Sequence, residues 1–315
     1  MNVLLWVGGG LVVVLIAVAV AIPLSVLMWW AGWSRRAGSP TAPPARGEVA
    51  PVRGPFLVYL SGVGDISGDY QTRYEDDLLA ALDKRVPGLV VICDVFAYSV
   101  TNLSMTSQRE LGWFWAWVNQ MRLKRDSPLK KAGELIYLRN VLHIAVSADW
   151  RYGPIYNYGV AEMIVQGLAR HGYPFGSGTP VSLLGYSGGG QIALATAGFV
   201  QATLRVPVQV ISLGGVMNSS RSLDTITALT HLYGSADRGQ RLGLIFPSRW
   251  PIFAGTHWGR AMAAGRIRLH CMGPMGHSGR GSYFDATVHL ADGRSFRDVT
   301  ADAVAGLIRR LGDGA

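Results

Sequence analysis

The chain has 315 residues, 49% of them hydrophobic and 16% charged, with a formal net charge of +9. That length supplies one large domain or two small ones with ample core. Two cysteines exclude a disulfide framework, and the basic residues form no nucleic-acid-binding motif, so the positive charge points to anionic lipid head groups.

From Val3 to Trp30 there is no charged side chain, and the centre reads LVVVLIAVAVAI. As a helix this run would cover roughly 40 Å, more than the ~30 Å hydrocarbon layer of a bilayer. Trp29, Trp30 and Trp33 follow, then Arg35 and Arg36, an order of rings and cations that marks a membrane exit. A cleaved secretory signal is the rival reading. It lacks support, because no cation precedes the run, the run is too long, and no A-x-A-like site follows. Residues 1–34 are therefore read as a transmembrane anchor. Arg35, Arg36 and Arg46 on its C-terminal side place the bulk of the chain in the cytoplasm. Residues 35–54 form a linker rich in Pro, Ala and Gly, and a globular part is expected over 55–315.

In the globular part, short β-rich runs alternate with helical patterns. PFLVYL (55–60), GLVVICDV (88–95), PVSLLGY (180–186), VQVISLGG (208–215), ITALTHLYG (226–234) and RIRLHCMG (266–273) have strand length and content. QTRYEDDLLAALDKRV, YNYGVAEMIVQGLARHG, GQIALATAGFVQATL and DVTADAVAGLIRRLG are helical candidates. The alternation predicts an α/β fold whose mostly parallel sheet is covered by helices on both faces. Residues 101–150 break the pattern and are read as a helical cap inserted after the second strand. There Trp113, Phe114, Trp115 and Trp117 precede Arg122, Lys124, Arg125, Lys130 and Lys131, which suits either a head-group layer or aromatic packing over a pocket. Cys93 and Cys271 are expected to be buried free thiols, as in a reducing compartment.

The candidate chemistry centres on Gly185-Tyr186-Ser187-Gly188-Gly189, which fits G-x-S-x-G. It lies between an apolar strand and a helix, where a sharp turn projects a serine hydroxyl above a sheet. Ser187 is the expected nucleophile, and the amide of Gly188 at the helix N-terminus is an expected oxyanion donor. A serine hydroxyl needs a base. His277 follows the last strand in a Gly/Pro-rich loop and is the expected one, with His257 as its main rival. Asp237, just past the strand ending near Tyr233, is the expected orienting acid, with Asp285, Asp224 and Asp149 as alternatives. A second oxyanion donor is expected from Val63 or Gly64 in the loop after the first strand, where Asp65 could instead cap the following helix.

From Phe56 onward the chain resembles the α/β-hydrolase fold superfamily, through GYSGG after a strand, Asp237 after a later one and Gly276-His277 after the last. The resemblance implies a serine hydrolase of an ester or thioester that works through an acyl-enzyme, with no cofactor or metal. The usual N-terminal hairpin is missing and the insertion comes earlier than the common lid. With the anchor, an ester or acyl substrate at a lipid bilayer is expected. Acyl transfer to an alcohol or amine, or a non-catalytic membrane scaffold, remain alternatives.

Overall fold

The computed structural model describes residues 27–28, 31–32, 50–67, 72–102, 104–107, 112–123 and 133–314. Most of the expected anchor, most of the linker and the basic positions Lys124, Arg125, Lys130 and Lys131 lie outside these residues. Among the described residues, no helix is long and apolar enough to cross a membrane.

Six strands, β1 (Phe56–Leu60), β2 (Val90–Ile92), β3 (Val181–Tyr186), β4 (Val208–Leu213), β5 (Ala228–Tyr233) and β6 (Ile267–Cys271), form one sheet in the order β2-β1-β3-β4-β5-β6. Every neighbouring pair is parallel. The helices are α1 (Arg73–Asp83), α2 (Gly112–Leu123), α3 (Glu134–Ala148), α4 (Gly153–Arg170), α5 (Gly188–Leu204), α6 (His257–Ala263) and α7 (Phe296–Asp313).

Alternation along the strands splits the core in two. Phe56, Val58 and Leu60 of β1 join Val181 and Leu183 on one face, under α4 and α5. Leu57 and Tyr59 join Leu184 on the other, under α1 and α7. Both faces are covered, so the central strands are buried at nearly every position. The edge strand β6 differs, because four of its five residues are exposed. Cys271 is therefore an exposed thiol, contrary to the expectation of burial, and Cys93 is half-buried.

The insertion after β2 contributes α2 and α3. Helix α6 and the 3-10 turns Arg221–Asp224, Gln240–Ile245 and Pro247–Arg249 carry no such periodicity and are visible only in the structure.

The strand order reverses between β1 and β3, since the chain runs outward from β1 to β2 and then returns to the other side of β1. The loops leaving the C-terminal ends of two such strands diverge and open a crevice. Residues 61–65 leave β1 there, and Ser187 leaves β3.

Candidate active site

Ser187 sits between β3 and α5 at φ 52°, ψ −120°, one of three non-glycine residues with positive φ among those described. Such a backbone costs about 1–3 kcal/mol and persists only where surrounding contacts fix it. Here the Ser187 amide donates to the Leu213 carbonyl at 3.0 Å, and its own carbonyl accepts from Gly190 at 3.1 Å and Val216 at 3.2 Å. The flanking glycines are required by space. A Cβ at Gly185 would strike the Gly189 carbonyl, and one at Gly189 would strike the carbonyl of Leu60 and stand 2.6 Å from that of Ser61. The G-x-S-x-G spacing therefore lets β3 turn into α5 while both stay pressed on β1.

The hydroxyl of Ser187 donates to Nε2 of His277 at 2.8 Å. The other ring nitrogen, Nδ1, faces both carboxylate oxygens of Asp237, at 3.0 Å and 2.9 Å. Residues 90 and 40 apart in sequence thus meet in one line of proton-transfer contacts. Asp237 is 0% exposed. Burial alone would raise its pKa, but hydrogen bonds from His277 and Tyr283, the His277 charge and the Gln240 amide outweigh it and hold the carboxyl below its ordinary value. The result is a buried anion aimed at one imidazole nitrogen, which leaves the opposite nitrogen to accept a proton from Ser187.

Four side chains whose roles carried no sequence signal hold this line and the loop beside it. Tyr283 donates to Asp237 Oδ2 at 2.6 Å and accepts from the Gly234 amide at 2.8 Å. Tyr186 donates to the His277 carbonyl at 2.8 Å, and its ring stacks on the imidazole at 5.4 Å. Asn140 of α3 is fully buried and donates both amide hydrogens, to the carbonyls of Val63 at 2.9 Å and Asp65 at 2.8 Å. Arg122 of α2 holds the Gly64 carbonyl between them at 2.7 Å. The cap thereby grips three successive carbonyls of the loop that holds the expected second oxyanion donor. In a trans peptide the N–H points opposite the preceding carbonyl. With the Val63 carbonyl turned to α3, the Gly64 N–H faces away from that helix. The loop also abuts the elbow, since a Cβ on Gly188 would stand 2.8 Å from Val63 Cγ1.

The rival candidates, and the buried His231, have different partners. His257 pairs with Asp224 at 2.5 Å, beside Arg260. His231 is buried against Ser212 at 3.0 Å, and burial lowers its pKa to about 4, so it is neutral. Asp149 caps the amides of Arg151 and Tyr152 ahead of α4. Asp285 ties down the Gly281 and Thr287 amides. Asp65 does not cap α1. Thr72 and Glu75 fill that role, with Glu75 Oε2 accepting from the Thr72 amide and hydroxyl.

Val63, Gly64, Ser187 and His277 line one cleft of about 510 Å³ whose walls include Tyr74, Tyr137, Tyr186 and Phe284. Asp65 also lines it, 3% exposed, with no hydrogen-bond partner at Oδ2. Burial first, then the neighbouring Glu75, push its pKa up to about 8, against the Ser61 hydrogen bond and Arg122. Among the described residues, no group of three or more His, Cys, Asp or Glu is arranged to hold a metal ion.

No family model and no curated protein matches the sequence. Among solved structures, the chain is similar to carboxyl esterase 2 from the mycorrhizal fungus Tuber melanosporum, with TM-score 0.43 and 8% identity over 82% of this chain and 78% of that one. It is also similar to a protein described as a dienelactone hydrolase from Klebsiella pneumoniae, with TM-score 0.41 and 13% identity over 84% of this chain and 89% of that one. At these scores the likenesses decide nothing about function, and the site's own geometry must.

Proposed function

We propose that the chain is a serine hydrolase that cleaves a carboxylic ester or thioester of an acyl chain through a covalent acyl-enzyme. One observation carries the reading: the unbroken contact from Ser187 Oγ through His277 to the buried Asp237 carboxylate.

In this reading Ser187 Oγ attacks the carbonyl carbon and its proton passes to His277 Nε2. The amides of Gly188 and of Val63 or Gly64 receive the oxyanion. As the tetrahedral centre collapses, the imidazolium gives its proton to the leaving alkoxide or thiolate. Water then attacks the acyl-enzyme and gives a proton to Nε2, which returns it to Ser187 as the acid departs. Asp237 stays ionised throughout and stabilises the imidazolium. The chargeless run from Val3 to Trp30 would hold this domain to a bilayer, on its cytoplasmic side.

A panel of acyl esters and thioesters tests the reaction. Full-length protein should release acid from at least one member, and Ser187→Ala should not. Turnover that survives the substitution would remove Ser187 from the chemistry.

A further inference from the structure

Large apolar side chains normally face inward, and an exposed cluster of them marks a contact surface. Here such a cluster stands outside the lining of the cleft, on segments that leave the same end of the sheet. The segment after Asp237 exposes Leu244, Ile245, Trp250, Ile252 and Phe253, with Ile252 at 78%. This segment is built into the fold. Trp250 Nε1 donates to the Leu244 carbonyl at 2.7 Å, and the Arg249 guanidinium donates to the Met217 carbonyl at 3.0 Å and lies over the Trp258 ring at 4.1 Å. Asn218 stitches it to the end of α3, accepting from Ser248 Oγ at 2.5 Å and donating to the Ala148 carbonyl at 3.3 Å. Just beyond Ala148, Trp150 is 82% exposed, and on the cap Trp113 is 73% exposed. All these exposed residues lie on segments that begin at the C-terminal ends of β2 and β5, and the second runs on to α6, whose His257 pairs with Asp224 ahead of β5.

Within this segment the charge has one sign, while beyond it Asp224 pairs with Arg260 at 3.1 Å and Asp149 pairs with Arg151 at 3.4 Å beside Trp150. Residues 238–260 contain Arg238, Arg241, Arg249 and Arg260 and no Asp or Glu. Rings and aliphatic chains set among cations suit the boundary between acyl chains and anionic head groups.

We propose that this catalytic rim rests on an anionic lipid bilayer, with Ile245, Ile252 and Phe253 inserted among the head groups and the cleft opening onto the membrane. The inference adds a surface to the reading above and rests on it only for what the cleft then does. The tether permits the pose. The chain enters the domain at the opposite end, where the Val52 amide donates to the Gly172 carbonyl at 2.8 Å. A compact body of about 260 residues is roughly 45–50 Å across. Residues 33–49 can reach about 55–60 Å when extended, enough to pass alongside it.

Photo-cross-linking of the full chain tests the surface. Ile252→p-benzoylphenylalanine, and separately Ile245→p-benzoylphenylalanine, would be reconstituted in phosphatidylcholine vesicles with and without phosphatidylglycerol. The control position is Phe175, exposed near the point of entry. Irradiation should give phospholipid adducts at 252 and 245 and none at 175. Arg241→Gln should lower the yield on the anionic vesicles by up to about fivefold, the effect of one cation near the surface. The same adducts should form in a Ser187→Ala background, so failure of the hydrolase reading leaves this result intact. No lipid adduct at 252, equal labelling at 175, or an adduct to a second copy of the chain would overturn the proposal.

Discussion

Among the described residues two histidines hydrogen-bond an aspartate, and only one of these pairs also meets a serine hydroxyl. In the pair His277–Asp237 the carboxylate side chain is 0% exposed, and in the pair His257–Asp224 it is 34% exposed. Asp237 receives Tyr283 and the Gln240 amide as well as the imidazole, all of which fix its direction. Asp224 divides its oxygens between His257 and Arg260, so its charge is already neutralised by a permanent cation. The far nitrogen of His277 meets Ser187, whereas Nδ1 of His257 is shared by Asp224 and Arg260. Contact between histidine and carboxylate is therefore common currency on a protein surface. A buried, singly directed carboxylate with a hydroxyl at the other end of the ring is not.

The sharpest way to break this contrast is to remove each imidazole in turn. His277→Ala should lower kcat/KM by about 10⁴-fold or more, and His257→Ala should leave it within about twofold. Comparable losses from both would erase the distinction. Next come the carboxylates. Asp237→Asn should cost about 10⁴-fold in kcat, because the amide cannot hold the same imidazole tautomer. Asp224→Asn should cost nothing measurable in turnover.

Smaller effects should follow in the supports. Asn140→Ala frees the carbonyls of Val63 and Asp65, and kcat should fall about tenfold with KM little changed, as when oxyanion donors lose their aim. Equal change in KM and kcat would mean that the loop serves binding instead. Tyr283→Phe removes one donor to Asp237 and should lower stability by about 1–3 kcal/mol, read from urea unfolding, with a several-fold loss of kcat. The mildest test is pH. Because Asp65 is raised above its unfolded value, its contribution to stability is present below about pH 4 and is lost as pH rises through about 8. Asp65→Asn should flatten the decline in unfolding free energy across that window. An unchanged slope would assign the decline to other groups.

The part of this architecture legible in the sequence is the part written in local constraints. Gly185 and Gly189 are demanded by backbone collisions within one turn, so G-x-S-x-G between an apolar strand and a helix can be read directly. His277 and Asp237 stand in loops after strands, and strand order alone brings those loops to one edge of a parallel sheet. Asn140 is different. In the sequence it is one polar residue in a helix, and its two bonds to the 63–65 loop exist only once the cap has folded over β1. Tyr283 likewise acquires its role from a chain crossing 46 residues away. Cys271 departs from the burial expected of an apolar strand because β6 is an edge and lacks a neighbour on one side. The exposed segment from Leu242 to Phe253 has no helical or strand period, so its apolar residues resemble core until the fold shows them facing outward.

The central claim is that His277 and Asp237 make Ser187 a nucleophile. Incubation of the full chain with a fluorophosphonate, followed by peptide mass mapping, addresses that directly. The account predicts one adduct, on Ser187 Oγ, formed rapidly in the wild type and far more slowly in His277→Ala. An adduct on another residue, or equal rates in the two proteins, would contradict it.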